Sequence, residues 1–305
     1  MTASKKVLIA YDGSECADAA LDDLKSAGLP EELEVRLLSV AEFWLPSPSA
    51  TFRPVLTGAI EPLPAPVQAA HNLALEASRR LQASFPSWSV EAEALVGSPA
   101  SAVLLKADEW KPDLIVVGSH GRSALGRFFL GSVSQKIVTE AHCSVRVSRG
   151  RERADGAPYR ILLGFDGSID ARAAVHTIAS RTWPEQSAVR ILAVLAPRIS
   201  ESPLLPCTPE QIAQREADAQ AWMQKQVDAA IEELRSAGLA VTPVITTGDP
   251  KQVLLDVARG WDADCLFVGA RGINRLVRFM LGSVTTAVVV RSHCTVEVVR
   301  KEKTA

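Results

Sequence analysis

Short apolar runs alternate along the chain with longer segments in which apolar residues recur every three or four positions. In the first half, the residue ranges 6–11, 34–40, 88–96, 113–118 and 144–148 predict five strands, since such runs are typical of strands buried on both faces. Helices are predicted to follow Ser14, to span residues 68–84, to begin at Pro99 and to span residues 132–142. This alternation predicts a mostly parallel sheet with helices on both faces.

The whole pattern occurs twice. Residues 7–14 (VLIAYDGS) align with residues 161–168 (ILLGFDGS), and HCSV at 142–145 aligns with HCTV at 293–296. The chain has 305 residues, so each half has the size of an ordinary domain. We therefore predict one domain over residues 1–148, a charged linker over residues 149–158 and a second domain over residues 159–305.

Two stretches break the symmetry of the halves. Residues 43–66 contain six prolines and little periodicity, which predicts a long loop after the second strand. A lid over a binding site is one interpretation of this loop, and a connection without function is the other. Its counterpart, residues 196–209, is shorter and leads into a long helical pattern over residues 210–237.

Composition and charge narrow the functional classes. Hydrophobic residues make up 47% of the chain and charged residues 22%, as in ordinary globular proteins. A net charge of −2 gives no overall electrostatic reason to expect nucleic acid or an anionic membrane as a partner. The apolar run at the N-terminus is too short for a signal peptide core, so we expect a cytoplasmic protein. The five cysteines include no C-x₂-C pair and predict neither a disulfide framework nor a zinc site.

The strongest functional signal is a glycine pattern after the fourth strand of each half. Gly118, Gly121, Gly131 and Ser132 read G-x₂-G-x₉-G-S, and Gly269, Gly272, Gly282 and Ser283 repeat it with the same gaps. Glycine lets backbone N–H groups approach an anion closely, and the last two positions lie where a helix N-terminus is predicted. The pattern therefore predicts a phosphate site in each half. The alternative is that the glycines only permit tight turns and close packing of helices on the sheet.

Charged residues at the first strands and within the glycine pattern are further candidates for ligand contacts. Asp12 and Asp166 each end a first strand, where a carboxylate could bind a ribose hydroxyl, an amine or a metal-bound phosphate. The alternative is a helix cap in an Asp-Gly-Ser turn. His120 and Arg271 occupy equivalent positions before the second glycine, and either is a candidate for a ligand contact. The motif loops add four further candidates for phosphate binding: Arg122, Arg127, Arg275 and Arg278.

Catalytic and metal-binding motifs are missing from the sequence. The patterns G-x₄-G-K-[ST], G-x-G-x₂-G, G-x-S-x-G and H-E-x-x-H do not occur. We therefore assign no catalytic and no metal-ligating residue, and weak ATP hydrolysis stays open.

Over nearly the whole chain, the sequence resembles the ATP-binding branch of the universal stress protein family. The resemblance rests on the strand ending in Asp12, the glycine pattern and the segments LGSV at 130–133 and HCSV at 142–145. The resemblance implies two tandem Rossmann-like (adenine nucleotide α-hydrolase-like) domains related by a pseudo-two-fold axis. Each would hold a five-stranded parallel sheet in the order 3-2-1-4-5. It also implies ATP, with or without Mg²⁺, at the carboxyl ends of strands one and four.

The resemblance implies a set of ligand contacts in each half, with backbone contacts from Val40 and Val194 to adenine. The remaining implied contacts are Asp12, Gly118, Gly121, Gly131, Ser132, Val133 and Ser134 in the first half, and Asp166, Gly269, Gly272, Gly282, Ser283, Val284 and Thr285 in the second.

The favoured function is that of an ATP-binding sensor or regulator in the stress response. The alternatives are a slow ATPase or adenylyl-transferring enzyme, and a docking module that binds no nucleotide. The resemblance further implies an intrachain pseudo-dimer, with or without a further homodimer, in which the last strands pair across the axis. That pairing would place Arg146 opposite Glu297, and the alternative is two independent exposed charges.

Overall fold

The computed structural model describes residues 5–42, 64–121, 130–150, 157–196, 208–272 and 281–301. The elements of the first half are β1 (Lys5–Ala10), α1 (Glu15–Asp23), a 3₁₀ turn (Leu24–Ser26), β2 (Leu33–Ala41), α2 (Ala65–Ser84), β3 (Ser89–Val96), α3 (Pro99–Trp110), β4 (Leu114–Gly118), α4 (Ser132–Glu140) and β5 (Ser144–Ser148). Those of the second half are β6 (Arg160–Gly164), α5 (Ile169–Ala179), β7 (Ala188–Leu195), α6 (Pro209–Ser236), β8 (Ala240–Thr247), α7 (Pro250–Gly260), β9 (Cys265–Gly269), α8 (Ser283–Arg291) and β10 (Thr295–Val299).

The two halves share one ten-stranded sheet in the order β3-β2-β1-β4-β5-β10-β9-β6-β7-β8. Each half contributes strands in the order 3-2-1-4-5, and all pairs within a half are parallel. The halves meet through the antiparallel pair β5–β10, in which Glu297 lies opposite Arg146. The predicted α/β fold is therefore confirmed, and its two sheets are continuous through the junction.

One face of the sheet carries a hydrophobic core that runs through both halves. It includes Leu8 and Ile115 from the first half and Leu162 and Leu266 from the second, all fully buried. On the other face each half has a core of its own, one around Ile9 and the other around Leu163. The shared core stabilises the junction because apolar surface of both halves is removed from water together.

The predicted long loops end earlier than the proline content suggests. Residues 43–63 and 197–207 lie outside the described residues, so the lid interpretation stays a prediction. However, Pro66 lies in the first turn of α2, and Pro209 begins α6. The predicted loop boundaries at these two prolines are wrong. Proline is well tolerated in the first turn of a helix, because N–H groups in that turn have no carbonyl partner within the helix and the lack of one costs nothing.

The charges at the junction are buried. Neither Arg146 nor Glu297 has any solvent-exposed surface, and Arg146 Nη1 donates to Glu297 Oε2 at 2.9 Å. Arg146 Nε also donates to Asp23 Oδ2 at 2.7 Å and Nη2 to the Tyr159 hydroxyl at 2.9 Å. Arg181 completes the group by pairing with Glu297. The predicted pairing is confirmed, whereas the alternative of two exposed charges is wrong.

An arginine after the last strand of each half also donates hydrogen bonds to carbonyl oxygens near the C-terminal end of a helix in the other half. Arg149, which follows β5, donates from Nη2 to the carbonyl oxygens of Val289 and Val290 at 2.6 and 3.1 Å, near the end of α8. Arg300, which follows β10, donates to the carbonyl oxygens of Val138 and Cys143 at 2.5 and 3.1 Å, beside the end of α4. The last carbonyls of a helix lack intrahelical partners, so these exchanged arginines satisfy groups that the helices cannot satisfy themselves.

Candidate functional site

The candidate site of each half begins with an Asp-Gly-Ser turn at the carboxyl end of its first strand. Asp12 Oδ1 accepts from the Ser14 N–H at 3.0 Å, and Asp166 Oδ1 accepts from the Ser168 N–H at 2.9 Å. The glycine between them has a positive φ in both halves, namely 73° at Gly13 and 76° at Gly167, which explains why glycine stands there. The two serines then cap α1 and α5. The aspartates therefore support the helix start with one carboxylate oxygen and leave Oδ2 for other contacts.

The second glycine of the motif lies against this second oxygen. A Cβ at position 121 would lie 2.6 Å from Asp12 Oδ2, and one at position 272 would lie 2.8 Å from Asp166 Oδ2. Any larger residue would push the carboxylate away. Glycine at these positions therefore keeps the loop after the fourth strand in contact with the turn after the first strand, at the point where open α/β sheets bind ligands.

The first glycine of the motif has a packing role. A Cβ at Gly118 would lie 2.9 Å from the backbone of Cys16, and one at Gly269 would lie 2.8 Å from the backbone nitrogen of Ala171. The N-terminal turns of α1 and α5 thus sit directly on the ends of β4 and β9. Close helix–sheet packing, the alternative for the whole motif, accounts for glycine at these two positions.

The last part of the motif begins a helix whose N-terminus carries no acidic residue. Gly131 and Gly282 are the N-cap residues of α4 and α8, and within the described residues no side chain caps either helix. The N–H groups of these two glycines bond to the carbonyl oxygens of Ser119 and Ala270 at 2.8 and 2.9 Å. The free donors are therefore those of the first helical turn, which includes Ser132 and Val133 and, in the second half, Ser283 and Val284. Both serines are exposed.

The next residue anchors this helix to the fourth strand. Ser134 Oγ donates to the Gly118 carbonyl at 2.7 Å, and Thr285 Oγ1 donates to the Gly269 carbonyl at 2.7 Å. Both side chains are buried. These hydroxyls consequently position the helix N-terminus next to the strand end instead of pointing outward.

Val40 and Val194 lie where the second strand extends beyond the first. The register of β1 with β2 ends at Ala10 and Leu38, and the Leu38 carbonyl accepts from the Tyr11 N–H at 2.8 Å. Alternate residues of a strand direct their backbone groups to the same neighbour. The N–H and C=O of Val40 are therefore directed to the space beyond β1, and the equivalent bond from Phe165 to Leu192 at 3.0 Å places Val194 in the same way.

The two sites differ most at one pair of equivalent positions. In the first half, His120 lies against Cys16, with Nε2 and Nδ1 at 3.2 and 3.5 Å from Sγ. In the second half, Arg271 and Asp170 occupy these positions, and Arg271 Nε donates to Asp170 Oδ2 at 2.6 Å. A thiol–imidazole pair in one half thus replaces an ion pair in the other. The glycine pattern predicts His120 and Arg271 as candidates but gives no sign of Cys16 and Asp170, although the alignment of residues 7–14 with 161–168 extends to both.

Four of the predicted phosphate-binding arginines lie outside the described residues, namely Arg122, Arg127, Arg275 and Arg278. In the part of the chain that the structure describes, no group of three or more His, Cys, Asp or Glu residues is placed to hold a metal ion.

A surface depression of about 510 Å³ is lined by α6 residues, none of them a predicted site residue. None of the described helices is both long and apolar enough to cross a membrane.

Comparisons with known proteins agree with the duplication. The model of the universal stress protein family matches residues 3–149 and 159–300. A universal stress protein of Thermus aquaticus is 36% identical over 149 residues, which are 48% of this chain and 98% of that protein. One from Mycobacterium tuberculosis is 28% identical over 221 residues, 70% of each chain. The solved universal stress protein of Archaeoglobus fulgidus shares the fold, with a TM-score of 0.64 at 19% identity over 98% of this chain and 99% of that one.

Proposed function

Since this chain belongs to the universal stress protein family, with a family domain in each half, we propose that it is a cytoplasmic sensor or regulator that binds adenine nucleotide, ATP in particular, in the stress response. The observation that carries the proposal is the site that each half forms where its first and fourth strands end. In each half, an uncapped helix N-terminus without acidic residues adjoins a turn that presents an aspartate.

The residues of this site suit the parts of a nucleotide. The N-termini of α4 and α8 carry a partial positive charge and free N–H donors, which favour a phosphate chain. Oδ2 of Asp12 or Asp166 lies beside the backbone of Gly121 or Gly272. At this position the oxygen can accept a hydrogen bond from a ribose hydroxyl. The backbone of Val40 or Val194 can bind an adenine edge with one donor and one acceptor. Mg²⁺, where present, would neutralise phosphate charge.

The test uses a change that repels phosphate without harming the helix. Ser132→Asp in the first half and Ser283→Asp in the second place a carboxylate in the first turn of α4 or α8, where it interacts favourably with the helix dipole. We expect each variant to keep or slightly raise the melting temperature while ATP affinity of its own half falls by about tenfold or more. Isothermal titration calorimetry measures affinity and stoichiometry.

Matched controls separate charge from side-chain loss. Ser132→Ala and Ser283→Ala remove the hydroxyl but add no charge, so binding should fall only slightly. Unchanged ATP affinity in the double aspartate variant would contradict the phosphate assignment. Absence of bound nucleotide and of ATP affinity in the unmodified protein would favour the docking module instead.

An enzymatic function is the second candidate. Among the described residues of the site, Asp12 and Asp166 are the candidates for a general base, and their Oδ1 atoms accept hydrogen bonds in the turns. Release of ADP or AMP during incubation with ATP, lost in the double aspartate variant, would favour slow hydrolysis or adenylyl transfer over sensing.

A further inference from the structure

The first half contains a side-chain cluster that the second half lacks. Cys16 lies in the first turn of α1, two residues after the cap Ser14, and its side chain is partly exposed. His120 Nε2 is 3.2 Å from its Sγ, and Ser119 Oγ is 3.1 Å from His120 Nδ1 and 3.8 Å from the same sulfur. The equivalent positions of the second half hold Asp170 and Arg271, which form an ion pair, and Ala270, which has no hydroxyl.

From this cluster we infer that Cys16 is a reactive thiol, activated by His120 and oxidised by peroxides. In the tautomer whose Nδ1–H donates to Ser119 Oγ, Nε2 carries no proton and lies 3.2 Å from the sulfur. The Cys16 proton can then move to Nε2, and the thiolate receives hydrogen bonds from the imidazolium and the Ser119 hydroxyl. The partial positive charge at the N-terminus of α1 acts in the same direction, whereas the carboxylates of Glu15 and Asp18 in its first turn oppose it.

A buried cation lies in electrostatic range of the same sulfur. Burial lowers the pKa of the Arg149 guanidinium, and negative charge on Cys294 or Cys16 acts in the opposite direction. Arg149 Nε and Nη1 are buried, and no described residue accepts a hydrogen bond from them. A negative charge on Cys16 would therefore interact favourably with this cation.

The oxidation step balances with hydrogen peroxide as the co-reactant. The Cys16 thiolate attacks one peroxide oxygen, so that an S–O bond forms while the O–O bond breaks. The leaving oxygen takes the bonding electron pair and the proton from the His120 imidazolium and departs as water. The thiol is oxidised to a sulfenic acid, and peroxide is reduced to water.

The other described cysteines provide internal controls. Burial raises the pKa of the Cys143 thiol to about 12 and that of the Cys294 thiol to about 11. Burial also raises the pKa of Cys265, which has no exposed surface. None of these three has a described hydrogen bond to a histidine. They should therefore react slowly under conditions in which Cys16 reacts.

The experiment treats the full-length protein with hydrogen peroxide in the presence of dimedone, which traps sulfenic acids, and follows each cysteine peptide by mass spectrometry. We expect the Cys16 adduct to form at least about tenfold faster than the Cys143 adduct. Cys16→Ser should lose that adduct alone. A parallel run with Cys207→Ser removes the cysteine outside the described residues as a disulfide partner.

Two variants test the activation of the thiol. His120→Asn keeps a polar side chain but cannot accept the proton, and Ser119→Ala introduces the residue of the second half. Both should slow Cys16 labelling while Cys143 labelling and circular dichroism stay unchanged. Equal rates at Cys16 and Cys143 in the unmodified protein, or a Cys16 rate insensitive to both variants, would overturn the inference. The labelling readout does not depend on nucleotide binding, so its failure is distinct from failure of the proposed function.

Discussion

At the scale of single residues, the charges at the junction depend on one another. Arg146 has hydrogen bonds to Asp23, Glu297 and Tyr159, and its side chain has no exposed surface. An exposed cross-strand pair contributes about 0.2–1 kcal/mol. Removing one member of a buried pair costs about 3–5 kcal/mol, because the remaining charge stays buried without its partner. Burial therefore makes this group far more sensitive to substitution than the sequence alone suggests.

The state of Glu297 predicts a specific loss of stability in acid. Burial alone would raise the pKa of Glu297, but Arg181 and Arg146 hold it below its ordinary value. A depressed pKa in the folded state contributes stability above the unfolded-state pKa of about 4.3, and this contribution disappears as the pH falls through the folded pKa. We expect Glu297→Gln to be less stable than the unmodified protein at pH 7, by a difference that shrinks below about pH 4.

Urea unfolding of both proteins between pH 7 and pH 3 measures this difference in the free energy of unfolding. A difference that stays constant over that range would mean that the carboxylate charge of Glu297 does not stabilise the fold.

At the scale of secondary structure elements, local signals predict most of the fold. Strand β5 has the predicted bounds, and α3 begins at the predicted Pro99, because apolar runs and proline act within a few residues. The contact between Cys16 and His120 joins residues 104 positions apart, and the exchanged arginines join residues of different halves. No periodicity within an element carries that information, so these parts of the site and of the junction required the structure.

The exchanged arginines predict an effect that crosses between the halves. Arg300→Ala removes donors to the Val138 and Cys143 carbonyls, so we expect faster amide hydrogen exchange in α4 of the first half. Arg149→Ala should instead loosen α8 of the second half, where the Val289 carbonyl loses its donor. Hydrogen exchange with mass spectrometry resolves the two helices. Each variant serves as the control of the other, and an effect confined to its own half would contradict the assignment.

At the scale of the whole molecule, the continuous sheet couples the two halves. The shared core on one face and the β5–β10 pair join them through buried apolar contacts and backbone hydrogen bonds. We therefore expect the protein to unfold in a single calorimetric transition. The family resemblance predicted this pairing of last strands, but the sequence did not show that Asp23 and Arg181 surround the pair, since they lie on other elements.

Arg146→Glu tests this coupling. The variant buries a new carboxylate beside Glu297 and Asp23, so we expect a lower melting temperature and a transition that broadens or splits into two. Exchanging the charges with Arg146→Glu and Glu297→Arg should not restore stability, because Asp23 and Arg181 would then face like charges. Differential scanning calorimetry and light scattering report the transition and the monomer state. Full rescue by the exchange would show that the pair acts independently of its neighbours.

The buried pair of Arg146 and Glu297 also makes the two halves of the protein non-interchangeable. In a symmetric assembly of two identical halves, a residue beside the axis meets its own copy. In this chain the two copies of the position carry opposite charges. Two copies of the same half, paired through their last strands, would bury two like charges at this point. Each half is therefore the specific complement of the other, and neither can replace its partner without a change at this position.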